Sequence, residues 1–99
     1  MTECDFRTLT MLQVDLGYLN PPETVRGYLV QLLAAAQQEL ERKGVILNSA
    51  DPADVHLHVM YAAWLYRKRA TGAAMPDMLR YALRNAQVHK ALMSKEAAE

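Results

Sequence analysis

Val59-Met60-Tyr61-Ala62-Ala63-Trp64-Leu65-Tyr66 sets eight apolar or aromatic residues in a row, and Arg67-Lys68-Arg69 closes the run with three cations. At 100° per residue, eight positions pass through two full turns, so a helix here is apolar in every direction and needs cover on nearly all sides. Upstream, Asp51-Pro52 marks its start: the carboxylate can accept a free backbone N–H, and a proline in the first turn forfeits no bond. Downstream, Gly72 marks its end. A strand reading fails on composition, because Ala and Leu supply 29 residues while Ile and Phe occur once each. Such a helix has two explanations. Either the rest of the chain wraps it as a central core, or part of its surface, with Tyr61, Trp64 and Leu65 the large side chains, is left for another subunit.

The flanking sequence supplies the helices that would do the wrapping. Before it, Asn20 is placed to cap a helix whose first turn holds Pro21 or Pro22. Val25, Leu29, Leu32, Leu33, Ala36 and Leu40 then recur at helical spacing up to a stop at Gly44. Val45-Ile46-Leu47 leans toward strand but has no partner strand, and is expected to pack over helix ends. A shorter, weakly specified helix precedes these at about Asp5 to Leu16, with Phe6, Leu9 and Leu12, joined by Val14 or Leu16, along one side. After the central helix, Met75-Pro76 opens a fourth, whose Met78, Leu79, Ala82, Leu83 and Ala86 form a narrow apolar stripe. Met78, Leu79 and Leu83 are therefore candidates for the core or for a subunit contact. The expected fold is all-α: three main helices plus a short N-terminal helix, in one compact domain spanning 1–99. Residues 1–7 form a mobile arm, and residues 89–99 a flexible tail that a partner would order.

With 99 residues, the chain has room for one core and no large enzyme. Eleven cations balance eleven anions. Their distribution is uneven: residues 1–54 carry four Arg and Lys against eight Asp and Glu, a net of minus four, and residues 55–95 carry seven against one, a net of plus six. One cysteine, Cys4, excludes an intrachain disulfide and fits a reducing compartment. No basic segment followed by an apolar one opens the chain, and the longest apolar run falls far short of the roughly 20 residues of a membrane span, so neither export by a signal peptide nor insertion is expected.

Catalytic and metal chemistry find no constellation. His56 and His58 stand two apart, about 200° around a helix, and cannot face one ion. Cys4 lies between Glu3 and Asp5, which oppose the thiolate a nucleophile needs. The four glycines are isolated, without a phosphate loop. No catalytic residue, metal or cofactor is expected, and an enzymatic role would need a site assembled between subunits. Arg67, Lys68, Arg69, Arg80 and Arg84 remain as a candidate charged contact surface. In the plain reading they complement a helix dipole and cover apolar surface with their stems; in the functional one they meet phosphates or an acidic partner.

Taken together, four segments resemble the small helical head-tail connector, or adaptor, proteins of long-tailed bacteriophages. They are Met11-Leu12-Gln13-Val14-Asp15-Leu16-Gly17; Gln38-Glu39-Leu40-Glu41-Arg42-Lys43-Gly44-Val45; the acidic start at Asp51 before Met60-Tyr61-Ala62-Ala63-Trp64-Leu65-Tyr66-Arg67-Lys68-Arg69; and Met75-Pro76-Asp77-Met78-Leu79-Arg80-Tyr81-Ala82-Leu83-Arg84-Asn85. Asn85 is followed by Ala86-Gln87-Val88, where the family often has an asparagine pair and then aromatic residues. The resemblance implies a virion structural protein made in the host bacterial cytoplasm. It implies a homo-oligomeric ring, dodecameric in the virion, under the portal protein at the head-tail junction. A further head-completion or tail protein would bind below, and DNA would pass through without sequence-specific contact; no membrane is involved. The alternative reading is a small helical DNA- or protein-binding regulator that uses the basic surface of residues 67–84.

Overall fold

A computed structural model describes residues 3–48 and 50–97, and places side chains for 7–48 and 50–92. Four helices and no strand occur among the described residues: α1 (Glu3–Asp15), α2 (Glu23–Arg42), α3 (Pro52–Thr71) and α4 (Asp77–Ala97). The all-helical expectation holds.

α3 is the hub. It packs against α1, α2 and α4, whereas α4 packs on α3 alone among the described residues and reaches α2 only through the Gln87 side-chain amide, which donates to the carbonyl of the α2 C-cap Lys43 at 3.1 Å. Of the eight residues Val59 to Tyr66, four are buried (Val59, Tyr61, Ala62 and Ala63) and four half-buried. None is exposed, so the chain's own helices cover the run in every direction.

The boundaries follow local chemistry. Asp51 caps α3 with extended backbone, its Oδ1 accepting the Ala53 N–H at 2.9 Å, with Pro52 next in line. Gly72 ends α3 in the left-handed conformation, φ +71°. At the end of α2, the Val45 N–H donates to the Leu40 carbonyl at 2.8 Å and the Gly44 N–H to that of Glu41 at 3.0 Å, with Gly44 at φ +87°. This is a Schellman closure, completed by apolar contact between the buried Val45 and Leu40. The segment Val45-Ile46-Leu47 accordingly packs without forming a strand, with Val45 buried, Leu47 half-buried and Ile46 exposed.

Other details differ from expectation. Asn20 does not cap α2. The helix begins after Pro22, whose φ of −59° and ψ of 158° hold it extended, and no side chain caps it. A residue before proline is pushed out of the helical region, so Pro21 could not be helical and Asn20 stays two residues outside. On α1, Leu9 and Leu12 are buried and Leu16 half-buried, while Val14 points outward at 71% exposure. The Phe6 side chain lies outside the described ones. Within residues 1–7, expected as an arm, the backbone is helical from Glu3, and Met1 and Thr2 lie outside the described residues. The backbone of the expected tail continues α4 through Ala97, and Ala98 and Glu99 lie outside the described residues.

The core joins all four helices. Leu12, Leu29, Leu40, Val45, Tyr61 and Leu79 are its largest fully buried side chains. The radius of gyration is 14.0 Å, and the principal extents are 48 × 31 × 18 Å. A globular domain of this length has a radius of about 13 Å. The excess fits an α4 about 31 Å long, at 1.5 Å per residue, whose packing is on α3.

Candidate interaction surface

The residues expected in a core or contact separate clearly. Tyr61, Leu79 and Leu83 are buried and belong to the core, whereas Trp64 and Leu65 are half-buried against it. Met78 is 76% exposed and is not core. It sits about 100° from Leu79 around the helix, and the face that meets α3 is centred on Leu79, Ala82, Leu83 and Ala86.

The basic triplet turns inward to its own chain. Arg67 meets the Asp15 carboxylate at 3.4 Å, tying α3 to the end of α1 with both side chains about half exposed. The Lys68 ammonium lies 4.9 Å from the centre of the Trp64 ring. Arg69 stacks 5.7 Å from the centre of the Tyr28 ring and donates to its hydroxyl at 3.1 Å. Each cation thus covers an aromatic ring or an anion on the outer side of α3, and such exposed contacts contribute little stability individually. Arg80 and Arg84 differ. They are exposed on α4, and their side chains make no hydrogen bond, ion pair or ring contact among the described residues. The five cations therefore divide into a committed group on α3 and an uncommitted pair on α4.

Aromatic side chains organise the same end of α3. Tyr18 and Tyr66 share a hydroxyl–hydroxyl hydrogen bond of 2.8 Å, with their rings edge to face and 6.5 Å apart. That bond is the main cause pushing the Tyr66 phenol up, followed by burial and by its tyrosine neighbours. Trp64 meets Tyr61 edge to face at 5.4 Å, and its indole N–H donates to the Ala73 carbonyl at 3.2 Å, anchoring the loop that leads to α4.

Concave surfaces flank α3. One, of about 520 Å³, lies between α2 and α3 and is lined by Tyr28, Leu32, Ala35, Leu65, Lys68 and Arg69 among others. A second, of about 400 Å³, lies between the start of α3 and α4, with Asp54, His56, His89 and Lys90 around it. Beneath the second, the Lys90 ammonium meets the buried Asp54 carboxylate at 2.6 Å, and the same oxygen accepts the Asn48 N–H at 2.8 Å. His58 turns away from His56: its Nε2 lies 2.7 Å from the Leu33 carbonyl, to which it donates, while His56 is exposed. No group of three metal-ligating side chains converges among the described residues. Every buried side-chain nitrogen and oxygen among them has a partner.

Sequence reasoning missed two features. The Asp54–Lys90 pair joins residues 36 apart, and nothing local in the sequence marks it. The second is a further apolar stripe on α4. Besides Met78, the side chains of Tyr81, Val88 and Leu92 stand 68%, 56% and 58% exposed. Their 3-4 spacing is present in the sequence beside the stripe of Leu79 and Leu83, and periodicity alone does not separate the covered stripe from the exposed one.

No family model, curated protein or solved structure matches this chain. No described helix is long and apolar enough to cross a membrane.

Proposed function

We propose that this protein is a non-enzymatic structural subunit that assembles with copies of itself into an adaptor ring, at the head-tail junction of a long-tailed bacteriophage. The ring would sit under the portal protein, around the passage for DNA, with a further head-completion or tail protein below. The phage assignment rests on the resemblance of the four quoted segments. Self-assembly rests on one observation: α4 leaves a row of large apolar side chains in water, on a helix that packs on only one neighbour. Monomeric soluble proteins seldom expose such a row, and subunits of assemblies do.

The apolar run of α3 gives this reading no support, because the chain covers it alone. The competing regulator reading draws on the basic surface of residues 67–84. It loses force where Arg67, Lys68 and Arg69 serve intramolecular contacts, and keeps Arg80 and Arg84. Electron microscopy of the concentrated protein tests the proposal: annular particles are the expected result. A protein that stays monomeric and retards duplex DNA in a salt-sensitive way would replace it with the regulator.

A further inference from the structure

α4 is joined to the rest of the chain in a way that leaves it separable. It packs on α3 alone among the described residues and is the last described element, so no other helix moves with it. Its seat is specific: Leu79 and Leu83 enter the core, Lys90 meets the buried Asp54 at 2.6 Å, and Gln87 donates to the Lys43 carbonyl at 3.1 Å. The link from α3 is Gly72-Ala73-Ala74-Met75-Pro76, none of it helical. Among the described residues its side-chain tie is the Trp64 indole N–H on the Ala73 carbonyl at 3.2 Å. Gly72 has nothing within 4 Å of where a Cβ would stand, which leaves the backbone room to turn there. Fully extended, a link of this length reaches about 17 Å, close to the smallest extent of the molecule, 18 Å.

α4 is also apolar on two sides. The face around Leu79 and Leu83 is spent on α3, while Met78, Tyr81, Val88 and Leu92, at i, i+3, i+10 and i+14, form an outer seam in water. A helix that lies between two bodies meets apolar surface on both sides, and one subunit supplies cover for only one of them.

We propose that α4 is exchanged between copies: the link opens, and α4 of one copy takes the α3 seat of a second, with Lys90 of the first on Asp54 of the second. The proposal rests on the self-assembly reading above and names the contact that joins the subunits. Complementarity is built in, because the seat receives the same helix that fills it in the single chain, and exchange of an identical element is a low-cost route to assembly. Passed from each copy to the next, α4 generates a ring if the rotation closes; passed back, it closes a dimer. The seat is the same in both forms, so the balance rests on what is new in the assembly, and the outer seam is the apolar surface available for it. A stable pairwise interface takes about 800 Å² from each partner, more than a seam one helix wide offers. With exchange, two copies part only by drawing Leu79 and Leu83 out of the core, so the assembly is long-lived.

Charge reversal across two full-length chains tests it. Asp54→Lys sets two ammonium groups together and Lys90→Asp two carboxylates, so each variant alone should melt about 10 °C or more below wild type. The two changes in one chain restore an ion pair and should recover most of the loss whether or not α4 is exchanged. Mixed and refolded together, the two single variants form one native and one reversed pair only if each α4 sits on the other chain. Native mass spectrometry should then show heteromers in equal proportion, melting near the double variant. A mixture that melts as its separate components and holds no heteromer overturns the exchange. Should the single variants not fold, Asp54→Cys and Lys90→Cys on separate chains, each with Cys4→Ser, read the same contact: a short bismaleimide should join them, and unjoined monomers overturn the exchange. Wild-type rings without complementation overturn the exchange and leave the adaptor reading standing. Complementation without annular particles does the reverse. A wild-type chain that stays monomeric at every concentration overturns both.

Discussion

Asp54 sits in the first turn of α3 with its side chain 7% exposed, and one of its oxygens takes both the Lys90 ammonium and the Asn48 N–H. Removing one partner of a buried pair costs more than the pair was worth, because the other is left uncompensated. Asp54→Ala should therefore lose about 3 kcal/mol in denaturant unfolding, the low end of the range for such breaks since Lys90 reaches water in part. Asp54→Ala combined with Lys90→Met should recover much of the loss. Tyr61 is the other telling residue. It is 1% exposed and its hydroxyl donates to Glu39 Oε1 at 3.3 Å. Burial, then the Glu39 charge and that hydrogen bond, push its phenol from the ordinary value of 10.0 up to about 12. The unfolded chain thus releases this proton first, and the folded state binds more protons between these values. Its share of stability is complete below about pH 10 and is lost as pH rises toward 12. The unfolding free energy followed across that window should fall more steeply with pH for wild type than for Tyr61→Phe; equal slopes would mean that the phenol is not held in this way. Neither Asp54–Lys90 nor Tyr61–Glu39 was legible beforehand, because each joins residues far apart in the chain, and a pairing of that kind leaves no local pattern.

Helix ends are where sequence and structure agree best. Asp51-Pro52, Gly44 and Gly72 act through bonds within a few residues, so their roles can be read without knowing what the helix packs against. Gly44 closes α2 at φ +87° with nothing within 4 Å of where a Cβ would stand. The cost of a side chain there is purely backbone strain. Gly44→Ala should lose about 1–2 kcal/mol and leave the fold unchanged, a result that thermal unfolding and circular dichroism together would check. Asn20 offers a capping side chain, but the tandem prolines keep it out of reach of α2. In α4 the ambiguity is of another kind. Its sequence holds two apolar stripes, and periodicity marks both as faces to be covered without saying which one the chain itself covers.

Across the whole molecule, α3 is enclosed and α4 is half used. The two faces of α4 should respond oppositely to substitution. Leu79→Ala, at a position 1% exposed, should cost about 2–5 kcal/mol of monomer stability. Val88→Glu should change that stability by less than about 0.5 kcal/mol, since its site is in water already. Unfolding at a concentration low enough to keep the chain monomeric makes the comparison; a large loss at Val88 would show that this face is covered within the subunit. The charge polarity read along the chain takes on a spatial meaning here. Part of the positive stretch is neutralised locally, Arg67 by Asp15 and Lys90 by Asp54, and the uncommitted remainder on α4 lies beside the exposed seam.

By itself, the sequence determined the all-helical class, the start and stop of the central helix, the buried stripe of α2 and the lack of a disulfide, since each depends on composition or on bonds between near neighbours. Tertiary structure alone decided that α3 is enclosed by its own chain, that Met78 faces water while Leu79 does not, and that the basic triplet is occupied at home. The physical reason is common to all three. Hydrophobic burial is non-directional, so an apolar face specifies that something must cover it and leaves what covers it to the arrangement of the other helices.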